Sequence, residues 1–173
     1  MRDLLEQAFG YALTGPHAYV RDDRRFAIAW EGRWGRVPIV VAPPPEPGAS
    51  KGVGMAADGF ARALPEFGDG EGGRIQRRSP MVLLQDWLNA SPDTLWGLVF
   101  AGDRVRLLRD NASLTRPAWI EADLGAIFRD EMFADFTALW LLIHASRFGA
   151  EGAAPTDCAL ERWREAGQRT GTS

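Results

Sequence analysis

Residues 79–109 constrain the fold more than any other stretch of this chain. Ser79-Pro80 is a helix start. Serine caps from outside, and proline suits the first helical position because its φ is already helical and its missing N–H would have had no partner there. Met81, Leu84 and Leu88 then repeat at helical spacing to about Asn89. Leu95 to Ala101 is a short apolar run of strand length. Gly102-Asp103 breaks it, and Arg104-Val105-Arg106-Leu107 alternates polar with apolar, so Leu95 to Arg109 reads as a β-hairpin. A helix joined by a few residues to a hairpin belongs in a mixed domain. The expected class is therefore α+β, a small mixed sheet with flanking helices.

The rest of the chain extends this pattern. Leu4 to Leu13 reads as a short amphipathic helix stopped by Gly15-Pro16. Phe26 to Trp30 and Val37 to Ala42 read as strands around a turn at Gly32 to Gly35, with Pro38 near a strand start. Residues 43–78 open on Pro43-Pro44-Pro45-Glu46-Pro47 and run through many glycines. They read as a long exposed loop with a short helical turn near Phe60 to Leu64. Trp119-Ile120-Glu121 reads as a further strand. Asp123 is expected to cap a short helix through Phe128, and Asp135 a longer one, Phe136 to Phe148, closed by Gly149. The organisation expected is one module over residues 1–149, then a linker and the start of a helical segment over residues 150–173, with Cys158 to Ala166 as its ordered part.

Composition removes several function classes. The chain has 173 residues, a net charge of -3 and 19 Arg beside the single Lys51. Its mild acidity argues against indiscriminate nucleic-acid binding. Cys158 is the only cysteine, so neither an internal disulfide nor a paired-thiolate zinc site can form. The N-terminus is amphipathic rather than signal-like, and the longest apolar run, Ala138 to Ile143, is far short of a membrane span. A cytoplasmic setting without membrane attachment is expected.

Most candidate sites have a plainer explanation. The Gly-rich stretch Phe67 to Gly73 has no strand before it and no helix start after it, as a phosphate loop needs, and reads as a flexible loop. His17 lies in a turn and His144 on a helix, where a packed or half-exposed histidine is the ordinary case. Cys158 precedes a short helix, and a structural role is the simpler one. Glu121, Asp123, Asp130, Glu131 and Asp135 could form a carboxylate metal cluster, but helix caps and a solvated face account for them. The basic residues say more. Between Arg74 and Trp119 stand seven arginines (Arg74, Arg77, Arg78, Arg104, Arg106, Arg109 and Arg116) and four aspartates, a local charge of +3. Arg104 and Arg106 share a strand face because alternate residues point the same way. Arg104, Arg106, Arg109 and Arg116 are therefore the candidate nucleic-acid-binding residues, able to track a phosphate backbone. No catalytic residue or metal ligand is assigned.

One long segment carries a resemblance. The helix Leu83-Leu84-Gln85-Asp86-Trp87-Leu88-Asn89, the run from Leu95 through Asp103 and Val105 to Arg116, and Asp135-Phe136 with Leu139 to Phe148 resemble the N-terminal region of large prokaryotic adenine-specific DNA methylases. These serve type II restriction–modification and DISARM-like phage defence, and the resemblance spans roughly Phe26 to Trp163. It implies a function in DNA methylation systems and DNA as a partner, with a downstream methylase domain or other defence-system subunits. S-adenosylmethionine is expected only in that downstream domain, because its binding loop and the Asn-Pro-Pro-Tyr type motif do not occur in these residues. The chain thus looks like an N-terminal fragment, a truncated reading frame or one piece of a split protein.

A second resemblance is to the nuclease domains at the N-termini of restriction enzymes. There a Glu-x-Lys strand precedes a helix and a strand pair, which Ser79 to Asn89 and Leu95 to Arg109 match. The strand that should bear Glu-x-Lys is Val37 to Ala42, and it has neither residue. Such nucleases need carboxylates to hold a divalent metal and a lysine to stabilise charge. The resemblance therefore implies a degenerate, non-catalytic nuclease-like module that positions DNA or docks another domain. Two rivals remain. One is a protein-interaction module using some of the seven tryptophans, Trp87, Trp96, Trp140 and Trp163 among them. The other is an active nuclease with a migrated set drawn from Glu31, Asp22 or Asp23.

Overall fold

The computed structural model describes residues 1–43, 59–69, 76–110 and 118–171. Its centre is a five-stranded mixed sheet. In chain order the elements are α1 (Arg2–Gln7), β1 (His17–Arg21), β2 (Arg24–Ile28), β3 (Trp30–Gly32), β4 (Val37–Ala42), β5 (Leu64–Asp69), β6 (Gln76–Arg78) and α2 (Pro80–Ala90). There follow β7 (Trp96–Ala101), β8 (Arg104–Arg109), β9 (Trp119–Asp123), α3 (Leu124–Arg129), α4 (Phe133–Ile143), a 3₁₀ turn (Ala145–Phe148) and α5 (Ala159–Thr170). The sheet runs β3-β4-β7-β8-β9. Only β4 and β7 are parallel, with α2 in the connection between them; the other neighbours are antiparallel.

The period-2 alternation of β4, β7 and β8 sends their side chains into two separate cores. Val37 and Ile39 of β4, Leu98 and Phe100 of β7, and Val105 and Leu107 of β8 face one layer, built from α1, α3, α4, the 3₁₀ turn and the start of α5. Val40, Val99 and Leu108 face the other, built from α2, Phe26 and Ile28 of β2, Phe60 and Phe67. β4 and β7 are therefore buried on both sides, and so they read as continuous apolar runs rather than alternating ones. Gly97 is required here: a Cβ would sit 2.9 Å from Leu84 Cδ1 and 3.0 Å from the Pro38 carbonyl oxygen. α2 can pack this close only because that strand position has no side chain.

Local signals placed several elements correctly. Ser79 Oγ accepts from the Val82 amide at 3.2 Å, and Asp123 Oδ1 from the Ala126 amide at 2.8 Å, as expected of the two caps. Gly102 begins the β7–β8 turn with φ +59°. Other expectations fail for physical reasons. Residues 43–78 are not simply an exposed loop, because β5 and β6 pair within them and Phe60 and Phe67 are buried. The two phenylalanines supply the anchorage that the surrounding glycines and prolines conceal. The N-terminal helix ends at Gln7 rather than Leu13, since Tyr11 and Leu13 are drawn into the core in extended chain. Asp135 does not cap α4, which begins at Phe133; it lies in the first turn, where the helix dipole still favours a carboxylate. That helix stops at Ile143, and a separate 3₁₀ turn follows.

β1 and β2 form a hairpin that the sequence did not announce. Its turn residues, Asp22 and Asp23, both take left-handed φ, 50° and 59°. A two-residue turn of this hand matches the twist of the strands, and aspartate tolerates it better than most residues.

Candidate functional site

The arginine hairpin is not one surface. Arg104 and Arg106 lie on the α2 side of β8, while Arg109 lies on the opposite side, against α5. Register puts Glu121 of β9 beside Arg106. Its Oε2 accepts from Arg106 Nε at 2.6 Å, and its Oε1 from Arg104 Nη1 at 3.1 Å. Arg106 is itself buried, its guanidinium 4.0 Å from the Phe60 ring centroid and 4.7 Å from that of Trp119. Arg116 lies outside the described residues, as do Lys51 and Arg74.

Arg109 belongs to a buried ion cluster. Its Nε and Nη2 donate to the two oxygens of Glu161 at 2.7 and 2.9 Å, a bidentate geometry. Arg164 Nε donates to the same carboxylate at 3.1 Å, and the Trp96 indole at 3.0 Å. Burial pulls the Glu161 carboxyl upward, but the hydrogen bonds and charges of Arg109 and Arg164 outweigh it and hold its pKa below the ordinary value. The same hydrogen bond raises Arg109. This cluster fastens α5 to the sheet, and Leu160 and Cys158 join the same core. Sequence spacing could not have found it, since 52 positions separate the partners.

The acidic stretch does not converge either. Among the described residues, no group of three His, Cys, Asp or Glu side chains is placed to hold a metal ion. Glu121 is paired, Asp123 caps α3, and Asp130 meets Arg129. His144 packs on Trp140, with ring centroids 4.4 Å apart; burial, then Arg147 and Arg33, lower its pKa. Asp22 and Asp23 form the β1–β2 turn and are exposed.

A different set of residues does converge, beside the β3 edge of the sheet. Glu31 is buried although charged. Tyr19 donates its hydroxyl to Glu31 Oε2 at 2.8 Å, and His17 Nε2 lies 3.7 Å from the same oxygen. Burial and the Glu31 hydrogen bond push the Tyr19 phenol up to about 12, so it stays a donor at neutral pH. Tyr19 stacks on Trp87 with centroids 4.9 Å apart, and Arg21 packs over the same indole at 4.9 Å. Trp87 is buried, and its indole N–H meets no acceptor among the described residues.

After Gly32 the chain turns sharply. Arg33, Trp34 and Gly35 take left-handed φ of 52°, 59° and 82°. For the two non-glycine residues this costs on the order of 1–2 kcal/mol each. Side-chain hydrogen bonds hold the turn in place. Arg33 donates to the Gly149 carbonyl, and Arg36 to the carbonyls of Phe148, Ala150 and Ala153. The result is an exposed Trp34, with the Arg33 guanidinium 4.4 Å from its ring centroid. Glu31, Arg33, Trp34 and Gly35 line two adjoining clefts, each of about 530 Å³. The sequence presents Glu31 only as one of three displaced nuclease candidates, with Asp22 and Asp23, and Gly32 to Gly35 only as a turn. Two consecutive bulky residues in a turn with one glycine after them were the signal available.

Compared with family models, curated proteins and solved structures, the chain matches none.

Proposed function

We propose that this chain is a nuclease-like scaffold without a catalytic set of its own. On this reading it is the N-terminal module of a restriction–modification or phage-defence DNA adenine methylase, and it works by docking the methylase domain. The observation that carries the reading is β4. This is the strand that would bear Glu-x-Lys in a nuclease, yet Ile39 and Val40 are fully buried against opposite cores. A carboxylate at either position would lose its hydration with no partner, at a cost of several kcal/mol. The succession of β4, α2, parallel β7 and antiparallel β8 supports the scaffold half of the reading.

Docking is favoured over phosphate tracking because Glu121 and Glu161 already engage Arg104, Arg106 and Arg109. β9 is also an edge strand, and beside it Ile120, Phe128 and Phe133 are exposed. Ile120, Met132, Leu139 and Leu142 line a shallow cavity of about 290 Å³ between β9, α3 and α4. A strand edge with no partner among the described residues, beside exposed apolar side chains, is a fitting surface for a partner domain.

Two assays test the reading. The purified chain should not nick plasmid DNA in Mg²⁺ or Mn²⁺; metal-dependent cleavage lost in Glu31→Ala overturns the non-catalytic half. The reading also expects a methylase region encoded downstream and a complex between it and this chain, weakened by Phe133→Ser. If no complex forms, the docking half is lost.

A further inference from the structure

The clefts at the β3 edge combine three features that the proposed scaffold role does not use. The first is positive charge held without a direct ion pair. Arg21, Arg33 and Arg36 line the cleft that includes Trp87, and their hydrogen bonds go to carbonyls and to the Ser91 hydroxyl. None of the three meets a carboxylate among the described residues. Their condition is the reverse of that of Arg104, Arg106 and Arg109, which acids neutralise. The second feature is an exposed aromatic ring, Trp34, held outward by a strained turn that arginine hydrogen bonds fasten down. The third is the buried Glu31 carboxylate on the same lining. Tyr19 occupies one of its lone-pair positions, and His17 lies within reach of the same oxygen.

We propose that this cleft binds a nucleotide. Arg21, whose Nε and Nη2 donate to nothing among the described residues, takes the phosphate, with Arg33 Nη1 beside it while Arg36 holds the turn; Trp34 stacks on the base, and Glu31 accepts from an N–H on the base edge. Each assignment follows from chemistry. Guanidinium groups match phosphate oxygens in planar, bidentate fashion. Base stacking on an aromatic side chain tolerates any sequence, since every base has a π-face. A carboxylate can only accept, so it selects bases presenting an amino or imino N–H toward it. The cleft is open beside the sheet edge, so the nucleotide can come free or as part of a single strand. Asp93, exposed on the same lining, disfavours a second phosphate close by. The site is independent of the scaffold reading, because it uses none of the β4, β9 or α4 residues on which that reading rests.

Calorimetry with dAMP and dCMP, and anisotropy with a labelled single-stranded oligonucleotide, test the proposal on the full chain. Binding to either is expected, and which one binds identifies the source of the nucleotide. Trp34→Ala should weaken it roughly tenfold or more, as loss of one stacked base does, and Trp34→Phe should restore most of it. Trp34 is exposed, so its replacement does not threaten folding. Glu31→Gln should alter the preference among bases, and Arg104→Ala should change nothing. The site is refuted by no binding, by binding of duplex only, by equal affinity for inorganic phosphate, or by an unchanged Trp34→Ala.

Discussion

Replacing Glu161 tests whether α5 belongs to the folded unit. Glu161 is 2% exposed and takes four hydrogen bonds, from Arg109 Nε and Nη2, Arg164 Nε and the Trp96 indole. In Glu161→Gln the amide keeps one oxygen acceptor but sets an NH₂ against cationic donors. Removing one member of a buried ion pair costs about 3–5 kcal/mol when the orphaned charge stays dry. Here the arginines can partly rehydrate, since the Arg109 and Arg164 side chains are 29% and 32% exposed. A cost of roughly 2–3 kcal/mol follows. For a chain of this length each kcal/mol shifts Tm by about 2–4 °C, so Tm should fall by ~5–10 °C in a circular-dichroism melt at neutral pH. A double-mutant cycle with Arg109→Met should give a coupling of about 1–3 kcal/mol. Limited proteolysis should release α5 first in the variant. A loss below about 0.5 kcal/mol, within the range of ordinary surface substitutions, would mean that the cluster is not what fastens this helix.

Three further outcomes are expected. Because Glu161 titrates lower in the folded than in the unfolded chain, its contribution is complete above the unfolded pKa of about 4.3 and disappears as pH falls through the lower folded value. Wild-type Tm should therefore drop on acidification below that point, and Glu161→Gln should drop less steeply. Gly97→Ala should destabilise by about 1–3 kcal/mol in urea titration, because the new Cβ meets Leu84 and the Pro38 carbonyl. Tyr11→Phe should cost roughly 1–2 kcal/mol by the same measurement, since it orphans the Ile143 carbonyl now bound by the buried Tyr11 hydroxyl at 2.7 Å.

Several elements were legible because their causes are local. The Ser79-Pro80 start, the Asp123 cap and the Gly102 turn each depend on residues within three or four positions, and the structure holds all of them. The β1–β2 hairpin was missed because its turn is Asp-Asp, without the glycine that usually marks one. The β5–β6 pairing was hidden by prolines and glycines that suggest loop, while Phe60 and Phe67 find their burial only against strands and helices far along the chain.

Charge shows the same boundary most clearly. The sequence alone determined that Arg104 and Arg106 share a face, because strand alternation is a property of the backbone. It also determined that β4 has no catalytic carboxylate. Only the tertiary structure decided that Glu121 would neutralise those two arginines and Glu161 would pair with Arg109, and that Arg21, Arg33 and Arg36 would line a cleft without an ion pair to any carboxylate among the described residues. A sequence lists charges in chain order, but an ion pair depends on distances of about 3 Å between side chains tens of residues apart. Sheet register and helix docking set those distances, and both are settled only when two cores close on opposite faces of one sheet.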